Sequence, residues 1–101
     1  MSEPSDRPEE GRGDETRKMV AMNAWLDEVC AELGLERDVL AEVTPDLLRL
    51  VGRVAHGPSR PGAPLTAFAV GLAAGADGAA RTAVTARVRT VDRLLDERKA
   101  R

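Results

Sequence analysis

The chain has 101 residues, a formal net charge of -2 at pH 7 and a hydrophobic content of 43%, which together fit one domain with its own core. Trp25 and Phe68 are its only aromatic residues. This composition disfavours an aromatic-rich sheet and excludes a nucleic-acid reader that stacks bases on aromatic side chains. The single His56 and single Cys30 exclude an intramolecular disulfide and a conventional zinc site, so no metal site is predicted.

The sequence contains no targeting or membrane-spanning signal. Residues 1–18 include ten charged residues and lack the apolar run of a secretory leader. The longest uncharged stretch, residues 61–76, is interrupted by Pro64, Gly71 and Gly75 and is too short to cross a bilayer. We therefore expect a cytoplasmic protein with no membrane partner and no nucleic-acid partner.

In chain order, residues 1–18 are predicted to form a disordered charged tail, because so polar a segment buries too little apolar surface to offset its ordering entropy. Residues 19–98 are predicted to form a single helical domain, with a frayed C-terminus at 99–101. The first helix is expected to begin between residues 19 and 23 and to end at Gly34. Its apolar face consists of Trp25, Leu26, Val29, Cys30 and Leu33. Cys30 on this face is predicted to be a buried, inert thiol.

A connection is predicted over residues 35–43, with one helical turn near residues 38–41. The second helix is then expected to start at Thr44-Pro45-Asp46, where Thr would cap the helix and Pro is tolerated in the first turn. It is predicted to run to His56 and to stop at Gly57. The residues predicted to point inward are Leu47, Leu48, Val51, Val54 and Ala55.

The third helix is expected from Pro64–Thr66 to Gly75, and the absence of charge predicts that it is almost wholly buried. Gly71 and Gly75 lie one turn apart, so their face is predicted to contact the backbone of another helix. Trp25, Phe68, Gly71 and Gly75 are thus the predicted helix-packing residues. The last helix is expected over residues 79–98, after a break at Asp77-Gly78, with the apolar stripe Ala80, Val84, Val88, Val91 and Leu95. No strand periodicity is present, so the prediction is an all-α bundle of four main helices.

Charge is distributed unevenly along the chain. Residues 19–53 carry seven acidic and three basic residues, whereas residues 79–101 carry seven basic and three acidic residues. The simplest interpretation is that two oppositely charged segments attract each other within one fold. The alternative is that the basic segment is a docking surface.

The segment from His56 to Thr66 is the candidate functional loop, since its prolines restrict the shapes it adopts. Arg60 lies just before the predicted start of the third helix, where free backbone N–H groups and the Thr66 hydroxyl would favour an anion. His56, at a helix C-terminus, would either cap the helix or contact the ligand. The alternative for Arg60 is a structural bond to backbone carbonyls. No catalytic residue is assigned, because His56 is the only candidate base.

The same loop carries a resemblance to a known family. Ala55-His56, Arg60-Pro61, Ala63-Pro64-Leu65-Thr66, Phe68 and Gly71 resemble the signature of a small uncharacterised actinobacterial helical domain. The upstream Trp25-Leu26 and the Leu-Gly end of the first helix are also similar to it. That family occurs as stand-alone proteins and as a C-terminal extension of molybdenum cofactor guanylyltransferase, which makes molybdopterin guanine dinucleotide. The resemblance covers residues 22 to 96 and implies a pathway rather than a reaction.

Three functions are therefore considered. The first is a non-catalytic accessory module of molybdenum cofactor biosynthesis or delivery. The resemblance implies this pathway, and the restricted loop supplies the expected contact surface. Its residues His56, Arg60, Pro61, Pro64 and Thr66 would bind the guanylyltransferase, a molybdoenzyme or molybdopterin guanine dinucleotide itself. The second is a purely structural or dimerisation domain without a ligand, in which the loop only braces two helices and any dimer would be a homodimer. The third is a small enzyme that uses His56 and Arg60 on a phosphate-containing substrate.

Overall fold

The computed structural model describes the backbone of residues 3–78 and 80–100, and their side chains from Gly13 onward. Within these residues there are four helices and no strand, which confirms the predicted all-α class. The helices are α1 (Glu3–Leu33), α2 (Arg37–His56), α3 (Gly62–Ala76) and α4 (Arg81–Ala100). The chain divides into two compact units, residues 1–37 and residues 38–101, which are described separately. Among the described helices, none combines the length and apolar character needed to span a bilayer.

In the first unit, α1 begins well before the predicted start between residues 19 and 23. Its backbone is helical from Glu3, and Asp14 pairs with Arg17 at 3.8 Å and with Lys18 at 3.3 Å. Pairs at this spacing stabilise a helix without burying any surface, and here they support the helical turn at residues 14–18. The predicted tail lies largely where no side chains are described, so its boundary at residue 18 stays a prediction.

The end of α1 at Gly34 is confirmed. Gly34 has a φ of 69°, a left-handed conformation that glycine adopts without penalty. The next residue, Leu35, donates its N–H to the carbonyl of Cys30 across 2.9 Å, which closes the last turn in the manner of a Schellman motif. Cys30 is buried, as predicted.

In the second unit, the predicted start of α2 at Thr44 is wrong, because the helix begins at Arg37 and contains Pro45 in its interior. The Thr44 hydroxyl does not cap the helix and instead donates to the carbonyl of Leu40 across 2.7 Å. Pro45 removes one helical N–H. The helix nevertheless continues through it, and Val43, two residues before the proline, is buried.

The buried face of α2 differs from the predicted one, since Val43 and Leu50 are buried although neither is in the predicted inward set. Leu50 is fully buried and is the centre of the core, whereas Leu48 is 46% exposed. Val54 is buried as expected, and Leu47, Val51 and Ala55 pack against the core as partly buried residues. The helix ends at His56, as predicted.

Side chains from α2, α3 and α4 form one apolar core. Its buried members are Leu50, Val54, Ala63, Val70, Val88 and Leu95. The predicted stripe of α4 is confirmed at Val84, Val88, Val91 and Leu95, while Ala80 is exposed just before the helix begins. Helix α4 continues to Ala100, and residue 101 lies outside the described residues, so the predicted boundary at 98 and the frayed end at 99–101 stay predictions.

Helix α3 presents to this core a face that the sequence does not predict. Its buried residues are Ala63, Val70 and Ala74, small side chains that let α3 and α4 approach closely. The expectation that α3 is almost wholly buried is wrong, since Phe68 is 64% exposed. A Cβ added to Gly71 would meet nothing within 4 Å among the described atoms, so the predicted contact of Gly71 with another helix is not made within the described chain.

The same correction applies to the other predicted helix-packing residues. Trp25 is 62% exposed, and Gly75 is exposed with open space beyond its Cα. The physical reason on α3 is that every side of the helix is apolar or small, so periodicity identifies no inner face.

Ion pairs join α2 to α4. The net charges of the two segments predict acidic groups on α2 and basic groups on α4, but in these pairs α2 supplies the arginines and α4 the aspartates. Arg49 and Arg53, from the predominantly acidic segment, bind Asp92 at 3.0 and 2.8 Å. Arg53 also binds Asp96 at 2.8 Å. The attraction therefore comes from the minority charges of each segment, because these are the residues that border the core.

Candidate functional site

The connection between α2 and α3 is built by hydrogen bonds to the last turn of α2. The backbone N–H groups of Gly57 and Ser59 both donate to the carbonyl of Val54, across 3.2 and 3.1 Å. The Ser59 hydroxyl oxygen in turn accepts the N–H of Gly62 at 3.0 Å. The loop is therefore fixed at both ends, as its prolines predict.

The backbone N–H groups at the start of α3 are already used. Gly62 donates to Ser59, and Ala63 donates to the carbonyl of Arg60 across 3.1 Å. The third residue of the helix, Pro64, has no N–H to offer. The predicted anion site assumed a helix starting near Pro64, with free N–H donors. Because α3 starts two residues earlier, at Gly62, those donors are occupied.

The side chains predicted to surround that anion are also arranged differently. The Thr66 hydroxyl donates to the carbonyl of Gly62 across 2.8 Å, so its proton points into the helix rather than towards a ligand. Arg60 is exposed, and no hydrogen bond or ion pair joins its guanidinium to the described residues. The structure thus shows neither a built anion cradle nor the alternative clamp onto carbonyls. Anion binding at Arg60 stays a prediction that rests on that side chain alone.

His56, by contrast, lies beside a groove that the sequence does not predict. The groove has a volume of about 450 Å³ and lies between the end of α2 and the last turns of α4. Its lining residues are Arg53, His56, Gly57, Pro58, Leu95, Arg98 and Lys99. It therefore takes one wall from the start of the predicted loop, but not Arg60, Pro61, Pro64 or Thr66.

We call this groove the basic groove, because the charged residues that line it are all cations. The positive charge of Arg53 is offset by its ion pairs with Asp92 and Asp96. The hydrogen bonds to Asp96 and then Asp92 raise the pKa of its guanidinium, so Arg53 stays a cation. Arg98 and Lys99 are exposed and form no ion pair with a described residue. Their charges are uncompensated, so the groove attracts anions. Leu95 and Pro58 add an apolar floor.

The sequence indicates Arg98 and Lys99 only in part, because they belong to the basic segment for which a docking surface is the alternative interpretation. Nothing local to them indicates that α4 brings them beside His56. Within the described residues no group of three His, Cys, Asp or Glu side chains is placed to hold a metal ion.

Comparison with known proteins gives one finding. Residues 17–101 match the family described as a domain of unknown function, DUF6457. The chain belongs to this family. The match starts near the end of the predicted tail and contains both the loop and the basic groove. No curated protein and no solved structure matches the chain.

Proposed function

We propose that this DUF6457 domain is a non-catalytic binding module that holds an anionic group in the basic groove. The observation that carries the proposal is the uncompensated pair Arg98 and Lys99, held on α4 opposite His56. Two cations beside an apolar floor suit a ligand that has both negative charge and an apolar or aromatic part.

The non-catalytic part of the proposal follows from the chemistry of the lining. Acid–base catalysis requires a base with an oriented partner, whereas the groups that line the groove with net charge are all of one sign. The groove binds and orients an anion but offers no carboxylate to exchange a proton with it. His56 adds a hydrogen-bond donor or acceptor at the edge of the groove.

The cellular role is proposed from the resemblance of the loop. We place the domain in the cytoplasm, as an accessory module of molybdenum cofactor maturation. There molybdopterin guanine dinucleotide supplies a pyrophosphate beside aromatic rings, and the guanylyltransferase or a molybdoenzyme supplies carboxylates. The match to DUF6457 agrees with the expected resemblance to an uncharacterised domain family. The pathway is proposed from the resemblance of the loop alone.

A second function is favoured by the same residues. Arg53, His56, Arg98 and Lys99 lie in the last turns of α2 and α4, where the helix dipole favours cations. In a purely structural domain they would stabilise helix ends and bind nothing. The two functions differ in whether the domain binds a ligand, because cations stabilise the C-terminal ends of helices without one.

Calorimetric titration of the full chain with inorganic pyrophosphate, and separately with guanosine diphosphate, tests the proposal. We expect binding that weakens steeply with added salt. The variant Arg98→Gln/Lys99→Gln should weaken it about tenfold or more, in line with the loss of two charge-assisted contacts. The matched control is Arg81→Gln/Arg89→Gln, which removes two exposed charges from the same helix outside the groove.

Three outcomes are decisive. An equal loss of anion affinity in both double variants would show non-specific attraction to a basic helix. It would overturn the proposal that the basic groove is the binding site. No binding of either anion, together with no capture of purified guanylyltransferase, would favour the structural domain. Capture of the guanylyltransferase by wild type but not by Arg98→Gln/Lys99→Gln would identify the partner as a protein.

A further inference from the structure

Helix α3 carries an exposed apolar stripe on the side opposite the core. Leu65, Phe68 and Leu72 are 70%, 64% and 62% exposed. They lie at i, i+3 and i+7, which places them on one face of the helix. Three large apolar side chains in one contiguous stripe are typical of an interaction surface rather than of scattered surface residues.

The residues around the stripe restrict what covers it. No residue of α3 is charged, so the face has no charged group with which to recognise a polar partner. Gly71 and Gly75 flank the stripe, and nothing described lies within 4 Å of where their Cβ atoms would be. They form a shallow trough beside the ridge of Phe68 and Leu72. A ridge beside a trough is the shape that a second identical helix complements.

The charges at the two ends of α3 decide the direction of pairing. Arg60 precedes the helix and has no ion-pair partner among the described residues, whereas Asp77 follows the helix and pairs with Arg87. An antiparallel second copy brings Arg60 of each chain towards Asp77 of the other, at both ends. The Asp77 carboxylate is 48% exposed and would then be shared between Arg60 of the second copy and Arg87 of its own chain. A parallel copy would place like charges together.

We infer that the α3 stripe is a homodimer interface in which two copies pair antiparallel about a two-fold axis near Phe68. Leu65 lies five residues inward from Arg60, and Leu72 lies five residues inward from Asp77. The register set by the end charges therefore places Leu65 of one copy opposite Leu72 of the other. The two Phe68 rings meet at the axis.

The dimer should be weak. A helix of 15 residues is about 22 Å long, and a patch of this length and one helix wide lies at the small end of specific interfaces. None of the stripe residues lines the basic groove, so dimerisation is independent of the proposed anion binding.

Sedimentation velocity of the full chain over a wide concentration range tests the inference. We expect a reversible monomer–dimer equilibrium for wild type. Phe68→Glu should abolish the dimer, because two carboxylates would meet at the axis, and Leu65→Glu should weaken it about tenfold or more. Arg60→Glu should weaken it several-fold through repulsion from Asp77. Helical circular dichroism should be unchanged, since all three side chains are exposed.

A cross-link tests the axis directly. Ala69→Cys places a thiol next to Phe68, so mild oxidation should give a covalent dimer. Ala86→Cys, at an exposed position of α4, should not, and it retains the same buried Cys30 as background. A wild type that stays monomeric at the highest concentration would overturn the inference. A dimer that persists in Phe68→Glu and Leu65→Glu, or that cross-links equally through Ala86→Cys, would also overturn it.

The two proposals fail separately. Arg98→Gln/Lys99→Gln should still dimerise, and Phe68→Glu should still bind pyrophosphate.

Discussion

Arg53 on α2 donates from Nη1 to Oδ1 of Asp92 on α4 across 2.8 Å. Arg49, one turn earlier on α2, donates to both oxygens of the same carboxylate at 3.2 and 3.0 Å. Asp92 thus accepts from two guanidinium groups beside the core. The hydrogen bond from Arg49 is the largest influence and lowers the pKa of Asp92, whereas partial burial acts in the opposite direction.

Because the pKa of Asp92 is lower in the folded chain than in the unfolded chain, this carboxylate makes stability depend on pH. An unfolded Asp titrates near pH 3.9. The contribution is therefore fully present above that value and is lost as the pH falls through the lower folded pKa. Asp92→Asn should reduce the free energy of unfolding at pH 7 by about 1 kcal/mol, and this difference from wild type should shrink in strong acid.

Thermal unfolding at several pH values measures this effect. Asp96→Asn is the matched control, because Asp96 is 70% exposed and accepts a single bond from Arg53. It should change the melting temperature less than Asp92→Asn does. Equal effects of the two substitutions, or a difference that grows in acid, would contradict the role given to Asp92.

Gly57 ends α2 for a steric reason. A Cβ at this position would lie 2.8 Å from the carbonyl oxygen of Arg53, a backbone atom that cannot move without distorting the last turn. Gly57→Ala should therefore destabilise the fold by about 1–3 kcal/mol. Gly52→Ala, in the same helix but with open space around the added methyl, should be neutral or stabilising by about 0.5–1 kcal/mol. Denaturant unfolding of both variants measures the contrast.

The helix ends are the part of this fold that the sequence predicts best. Gly34, Gly57 and Asp77-Gly78 all stop helices where expected, because a stop depends on local backbone geometry and on few neighbours. The start of α2 was misplaced for the complementary reason. The sequence Thr44-Pro45-Asp46 suits a first turn, but Pro45 lies in the interior of a helix that begins at Arg37, and the local sequence does not separate these two positions of a proline.

The burial of individual side chains and the make-up of the candidate site depend on tertiary contacts. The sequence predicts these less well than it predicts the ends of the helices. Helix α3 has no polar side that would mark the surface, so its sequence predicts packing for Phe68, which is exposed. The sequence likewise predicts free N–H donors in the first turn of α3, because the hydrogen bond from Gly62 to Ser59 depends on the folded shape of the loop. His56 and Lys99 are far apart along the chain, and only the packing of α2 on α4 brings them to one groove.

Leu50 and Leu48 provide a direct test of the core. Leu50 is fully buried, while Leu48, two residues away in the same helix, is 46% exposed. Leu50→Ala should cost about 2–5 kcal/mol, because it leaves a cavity among packed side chains. Leu48→Ala should cost less than about 1 kcal/mol. Chemical denaturation followed by circular dichroism gives both values, and a similar loss in the two variants would mean that the core lies elsewhere.

The last prediction concerns Ser59, whose hydroxyl oxygen holds the first N–H of α3. Ser59→Ala removes the acceptor of the Gly62 N–H and should cost about 0.5–1.5 kcal/mol, the net worth of one intramolecular hydrogen bond. The loss should be local, because Ala63 keeps its bond to the carbonyl of Arg60. Amide hydrogen exchange should therefore accelerate at Gly62 and stay unchanged at Ala63. Ser59→Asp, which retains an acceptor oxygen, should restore slow exchange at Gly62.

Ser59→Ala also frees the Gly62 N–H beside Arg60. It is therefore the variant in which the anion site predicted at Arg60 is most able to bind phosphate. If inorganic phosphate slows exchange at Gly62 in Ser59→Ala but not in Ser59→Asp, the Arg60 site competes with the Ser59 hydroxyl for that N–H. If phosphate leaves that amide unaffected in both variants, the start of α3 is purely structural and binds no phosphate.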